Sequence, residues 1–354
     1  MATARIHSTL KLKPFAGEII DEKEITNLKE NFKDGNPKNI LGKGEARDVI
    51  LVSYHGTNVA AKRYPYPENV EHEWGMLEAC FPSEFVVTGY AYSLEPLTIL
   101  MEYMEQGSLD GFIKNPSLNF LQRIQIAIDI ASGLNHLRNK GIVHHDIKPK
   151  NVLLYQTESG IFRAKICDFG LATKIPDKAT ADTVIGSAKY YVLDEKLSFA
   201  KDIYSFGILL FDLFVSKQTV KMVFPKSEGV QQIYMRIALG KVRESLEKVC
   251  RAMETDPIFK PIAELILLCT VKNHEERPAP DKIIATLNAL LAKKEFHHLK
   301  GSFSMPKPIP NSPHATKSPS LSQKNMFVEM SAPDDKSDSN SDCPFVMTLG
   351  NSIG

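Results

Sequence analysis

Two polar clusters set between apolar, strand-like flanks constrain this chain more than anything else in it. The first reads Ile142-Val143-His144-His145-Asp146-Ile147-Lys148-Pro149-Lys150-Asn151-Val152-Leu153-Leu154. The second, a short hairpin later, reads Lys165-Ile166-Cys167-Asp168-Phe169-Gly170. A carboxylate, a lysine and an amide therefore share one loop, and a second carboxylate lies on the next. Apolar flanks imply that both loops are anchored in a core, where charges need partners. Magnesium prefers hard oxygen ligands, commonly one or two carboxylates beside phosphates. Asn151 and Asp168 are the candidate metal ligands. Asp146 is then left to orient a hydroxyl and accept its proton, and Lys148 to neutralise a moving anionic group.

Hydrophobic periodicity supplies the frame. Over 39–64, Val49, Leu51 and Ser53 alternate with Ile50, Val52 and Tyr54. His55-Gly56-Thr57-Asn58 then breaks the run as a turn, and 59–64 reads as the return strand. A helix is predicted over 68–80, with Val70, Trp74, Leu77 and Cys80 on one face. Two further strands, 90–94 and 97–101, flank a Glu95-Pro96 turn. Beyond Gly107, Phe120, Ile124, Ala127, Ile128, Ala131 and Leu134 recur at helical spacing up to a stop at Gly141. The helix over 201–216 is apolar nearly all round and so buried. Pro280-Asp281 opens a last helix through Ile284, Leu287 and Leu291. The expected class is α+β, a five-stranded antiparallel sheet with one helix followed by a larger, mainly helical part. The expected divisions are an extension over 1–37 and a domain over 38–294, split into 38–104 and 105–294. A Ser/Pro-rich tail over 295–354 lacks periodicity and is expected to be disordered.

Composition narrows the function classes. A net charge of +1 gives no footprint for nucleic acid or an anionic surface. Cys80, Cys167, Cys250, Cys269 and Cys343 form no Cys-x-x-Cys pair, which argues against a zinc ribbon or a disulfide framework. The longest apolar stretch, 206–215, contains Asp212 and falls short of the ~20 residues a membrane span needs. No ordinary secretory signal opens the chain. A cytoplasmic setting is expected, including a host cytoplasm if the chain is a delivered bacterial effector. Nothing in the sequence sets the oligomeric state.

Two more features concern phosphate. Leu41-Gly42-Lys43-Gly44-Glu45-Ala46-Arg47-Asp48-Val49 places two glycines in a strand-to-strand turn, where backbone N–H groups can approach phosphate oxygens. An ordinary hairpin fits that segment equally well on its own. Lys62 ends a buried-looking strand and needs an acid to hold it. Glu73 on the next helix is the leading candidate, with Glu71 and Glu78 as rivals, and a solvated surface pair is the alternative.

Taken in order, these motifs resemble the eukaryotic-type protein kinase superfamily over roughly 38–294. The resemblance implies a bilobal fold, ATP and Mg2+ as cofactors, and transfer of the γ-phosphate to a protein substrate. It makes Leu41, Gly42, Gly44, Val49 and Ala60 part of the ATP site, and Lys62 the phosphate-binding lysine paired with Glu73. Met101 becomes the gatekeeper, Glu102 and Met104 the adenine hinge, and Leu153 the pocket floor. Asp146 takes the place of the catalytic base, supported by Lys148 and Asn151, with Asn151 and Asp168 on the metal. Gly186-Ser187-Ala188-Lys189-Tyr190-Tyr191-Val192-Leu193-Asp194 resembles the substrate-binding end of the activation segment. Asp202 resembles the aspartate that braces the catalytic loop, and Arg277 the late arginine expected to pair with Asp194.

Three positions depart from the pattern. Arg47 replaces the third glycine of the loop, Val192-Leu193-Asp194 replaces Ala-Pro-Glu, and His145 replaces an arginine. The family often uses that arginine to hold a phosphorylated activation loop. His145 therefore argues against simple control by loop phosphorylation, although Thr173, Thr180, Thr183 and Ser187 stay candidate sites. Lys148, two residues past Asp146, and Ser187 resemble serine/threonine kinases, and the hinge resembles the tyrosine-kinase-like group. Tyrosine or dual specificity is an alternative, and so is a pseudokinase acting as a nucleotide-binding scaffold. The pair His144-His145 is expected to be structural rather than metal-binding.

Overall fold

A computed structural model of the chain describes residues 40–43, 48–113, 118–175, 183–184, 188–190, 198–225 and 227–293, with the pairs 25–26 and 347–348. The chain divides into two compact units, one of Met1–Ile175 with Pro278–Phe303, the other of Pro176–Arg277 with Ser304–Gly354.

The first unit holds an antiparallel sheet. Its strands are β1 (Ile25–Thr26), β2 (Ile40–Lys43), β3 (Asp48–Tyr54), β4 (Thr57–Arg63), β5 (Gly89–Leu94) and β6 (Leu97–Glu102). The order is β1-β3-β4-β6-β5, with β2 also on β3. Five strands match the expected sheet, and β1 adds a two-residue pair at its edge. The alternation in β3 buries Ile50, Val52 and Tyr54 against Val59, Ala61, Tyr90 and Leu100. The turn after β3 is tighter than the four residues expected. Only His55 and Gly56 form it, both at positive φ (46° and 74°), while Thr57 and Asn58 pair within β4. A two-residue turn with both φ values positive matches the right-handed twist of the strands it joins.

Helix α1 (Pro67–Cys80) starts with proline in its first turn, where the missing N–H costs nothing. It turns Val70, Glu73, Trp74, Leu77 and Cys80 inward, and Trp74 stacks at 5.0 Å on Tyr92 of β5. The segment after it docks on β10 (Phe162–Ile166): Val87 N–H donates to Ile166 O (2.9 Å) and Ile166 N–H to Phe85 O (2.8 Å). A three-stranded sheet joins β10 to β9 (Val152–Gln156) and β7 (Gly107–Ser108). Helix α2 (Leu109–Ile113) follows β7. Helix α3 (Phe120–Asn139) begins with a reciprocal cap, Asn119 Oδ1 accepting from Gln122 N–H and Gln122 Oε1 from Asn119 N–H. Buried Asp129 ties α3 to β10 by accepting from Arg163 Nε and Ala164 N–H, both at 2.9 Å. The loop between β8 (Ile142–Val143) and β9, and the one between β10 and β11 (Thr173–Lys174), carry the two polar clusters. They approach because β8 and β11 pair antiparallel. The last helix of the unit, α9 (Pro280–Leu291), packs on α3.

The second unit is mainly helical among its described residues, with one short antiparallel pair of Thr183–Val184 and Met347–Thr348. Its centre is α4 (Ala200–Phe214), buried from Lys201 to Phe214 as the all-round apolar pattern predicts. Gly207 lets α8 (Lys260–Cys269) come close, since a Cβ there would stand 2.7 Å from Cys269 Cβ. Between them lie α5 (Lys217–Val223), α6 (Val230–Ala238) and α7 (Lys241–Met253), which the sequence reading left unassigned. No described helix is long and apolar enough to cross a membrane.

Candidate active site

Sheet parity builds the first half of the site. Val49 pairs with Lys62 across β3 and β4, and Ala60 with Met101 across β4 and β6. Residues two apart on a strand share a face, so Val49, Ala60, Lys62 and Met101 all project from the side opposite the Ile50 cluster. Lys62 is only 7% exposed and Glu73 1%. Lys62 Nζ lies 2.7 and 2.9 Å from the two Glu73 oxygens and 2.6 Å from Asp168 Oδ1. The rivals Glu71 and Glu78 are exposed on the far side of α1. Burial alone would lower the Lys62 pKa, but the charges of Asp168 and then Glu73 outweigh it and hold the ammonium well above its ordinary range. Glu73 Oε1 also accepts from Phe169 N–H at 3.3 Å, so one carboxylate touches both the lysine and the Asp168 loop.

The second half sits on the loop before β9. Asp146 and Asn151 are buried. Asn151 Nδ2 donates to Asp146 O (2.9 Å) and Oδ2 (2.8 Å), and Lys148 Nζ lies 2.8 Å from the same Oδ2. His144, fully buried, takes the Asp146 N–H on Nδ1 (3.2 Å) and reaches Cys167 O with Nε2 (3.0 Å). Those partners fix a neutral ring protonated on Nε2, and the ring meets Phe169 edge-on at 4.9 Å. His144 is thus a strut between the two loops.

The donor set suits a hard cation next to phosphate. Both protons of a carboxamide are on nitrogen, so with Nδ2 turned to Asp146 the Asn151 amide presents Oδ1 as an oxygen ligand. The Asp168 side chain is 39% exposed, and its Oδ1 is engaged by Lys62. At the end of β6, Glu102 N–H donates to Thr88 O, and its carboxylate takes Lys165 Nζ on both oxygens at 2.8 Å. Buried Met104 accepts from Gly107 N–H at 3.0 Å. Leu153 stands on β9 opposite Ser108, while Leu41 is exposed at the edge. Gly42 pairs with Val49, whereas Gly44 and Arg47 lie outside the described residues, as do Thr180, Gly186, Ser187, Val192, Leu193 and Asp194. Asp202 is buried on α4. Arg277 donates to Ala200 O (2.9 Å) and Val271 O (3.0 Å) and lies over the Tyr204 ring at 5.3 Å.

Three side-chain ties here were not anticipated. An acid inside the apolar run Ala127-Ile128-Asp129-Ile130-Ala131 was a readable sign of a buried partner. The Lys165–Glu102 pair and the contact of His145 with Thr173 left no comparable mark in the sequence.

Comparison with known proteins agrees with the geometry. Residues 38–287 match the family model of protein tyrosine and serine/threonine kinases. The LRR receptor-like serine/threonine-protein kinase ERL1 of Arabidopsis thaliana is 31% identical over 324 residues, covering 85% of this chain and 31% of that protein. The LRR receptor-like serine/threonine-protein kinase SIK1 of Oryza sativa subsp. japonica is also 31% identical, covering 76% of this chain and 28% of its own length. The PTI1-like tyrosine-protein kinase 3 of Arabidopsis thaliana is 27% identical, covering 75% and 72%. The chain thus spans less than a third of the receptor-like relatives. With a strand-built sheet carrying one helix, a helical remainder and a match over most of its length, the chain belongs to the protein tyrosine and serine/threonine kinase family and has its bilobal fold.

Proposed function

We propose that the chain transfers the γ-phosphate of ATP, with magnesium, to serine or threonine hydroxyls of a protein. The observation that carries this reading is the convergence of Lys62 and Asp168, 106 residues apart in sequence, on one another and on Glu73. Lys62 holds phosphate oxygens while Glu73 fixes its ammonium. Val49, Ala60, Met101 and Leu153 enclose the adenine, with Glu102 and Met104 as hinge and Leu41 and Gly42 above the phosphates. Asn151 and Asp168 hold the metal. Magnesium, when bound, draws charge from the phosphate oxygens. Asp146, fixed through Oδ2 by Asn151 and Lys148, orients the incoming hydroxyl and takes its proton. Lys148 offsets charge on the moving phosphoryl group. Its place beside Asp146 favours serine or threonine over tyrosine.

The test is incubation with Mg-ATP and a generic protein substrate, read by mass spectrometry, beside Asp146→Asn. Wild type should phosphorylate serine and threonine, and the variant should lose at least about a hundredfold of the rate. Equal, negligible transfer from both, with nucleotide still bound, would replace the enzyme with a nucleotide-binding scaffold. Phosphotyrosine as the main product would overturn the specificity alone.

A further inference from the structure

The geometry points to Thr173 as a positioning residue for the transfer step, acting through His145 on Asp146; this inference rests on the reading just proposed. His145 is 7% exposed and sits at φ 66°, a left-handed backbone that a residue with a Cβ adopts only when its surroundings hold it there. Its Nε2 lies 2.8 Å from Thr173 Oγ1. Thr173 is itself placed by main chain. It pairs with Val143, Lys174 pairs with Ile142, and Ile175 N–H donates to Gly141 O at 2.8 Å. The ladder therefore fixes the hydroxyl two residues from His145, and the side-chain bond closes the loop back onto the strand that starts it.

Asp146 is held from both sides as a result. His144 ties it to the residue before Asp168, and His145 ties it to the strand after Gly170. The Thr173 contact joins an imidazole to a hydroxyl and uses no phosphate. An arginine at this position carries a permanent charge that calls for an anion, whereas a hydroxyl satisfies a histidine in either protonation state. The catalytic loop is thereby set by residues the ribosome supplies, and phosphorylation of the segment is not needed to place Asp146.

Thr173→Val keeps shape and strand preference while removing the hydroxyl, and Thr173→Ser keeps the hydroxyl without the methyl. Two measurements are made on the full chain: steady-state kinetics and hydrogen–deuterium exchange over 142–147. Thr173→Val should lower kcat about tenfold and speed exchange by a similar factor, with KM for ATP moved less than about twofold, because Lys62, Glu73 and Asp168 are untouched. Thr173→Ser should bring kcat and exchange back to within about twofold of wild type. Phosphatase treatment should leave wild-type kcat unchanged. The inference is overturned by wild-type kcat and exchange in Thr173→Val, by a serine variant as impaired as the valine, or by a tenfold loss on dephosphorylation. A wild type that transfers no phosphate defeats the proposed function instead, and the exchange comparison then decides the Thr173 contact by itself.

Discussion

Lys62 owes its charge to two neighbours. Burial by itself lowers its pKa; with Asp168 first and Glu73 second it stays protonated well above its ordinary 10.5. A folded-state value above the unfolded one means the stabilisation is complete below pH 10.5 and disappears only as pH rises through the folded value. Glu73→Gln should therefore cost on the order of 3 kcal/mol in urea unfolding, and the same amount at pH 6.5 as at pH 9. A cost that changes across that window would point to a different titrating partner. Burial is the largest influence on two cysteines and, against the lowering effect of nearby positive charges, pushes the Cys80 and Cys250 thiols up to about 12. At pH 8 roughly one thiol in ten thousand is then thiolate. Iodoacetamide should leave both unlabelled in the native protein and label both in urea; native labelling at the rate of an ordinary thiol would contradict their burial. The choice of Glu73 over Glu71 and Glu78 was readable in principle. Glu73 lies inside the arc set by Val70, Trp74, Leu77 and Cys80, and the other two lie outside it. The partner of His145 was not readable, because it depends on which strand Thr173 joins.

Pairings between elements, rather than the elements themselves, place the loop that carries Asp146 and Asn151. Strands β3 to β6 and helices α1, α3, α4 and α9 follow from periods of two and 3.6 in their own residues. Helix α7 carried the same signal, with Val242, Leu246, Val249 and Met253 buried at helical spacing, but many charges surround that stripe. What the periods do not contain is the docking of 85–87 on β10, whose partner is Ile166, some eighty positions along. Gly133 of α3 makes room for it. A Cβ there would stand 2.7 Å from Ile166 Cδ1 and 3.1 Å from Phe85 O. Gly133→Ala should cost about 1–3 kcal/mol in urea unfolding despite the better helix propensity of alanine. Adding Ile166→Val removes the Cδ1 atom and should recover part of that loss. A double variant no better than the sum of the two single changes would place the strain at the Phe85 carbonyl instead.

At the scale of the molecule, the α+β class was legible from the change of period near Gly107, while the division into compact units was not. That division is set by ties between distant segments: α9 on α3, Asp129 of α3 on β10, and β11 on β8. Every described residue proposed for nucleotide, metal or proton transfer falls in the unit of Met1–Ile175 with Pro278–Phe303. A ligand that binds only the native state stabilises what it touches, by about 2.7 kcal/mol at a hundred times its Kd. Mg-ATP should therefore slow hydrogen exchange most over β3, β4 and the 142–170 region. Helices α7 and α8, with their own buried stripes, should change little. Removing magnesium with EDTA should reverse the protection around Asn151 and Asp168 more than that at Lys62, since the proposed metal would link the first two whereas an ion pair with Glu73 secures the third. Uniform protection across both units, indifferent to EDTA, would mean that nucleotide binds without engaging the metal ligands, and the assignment of Asn151 and Asp168 would fall.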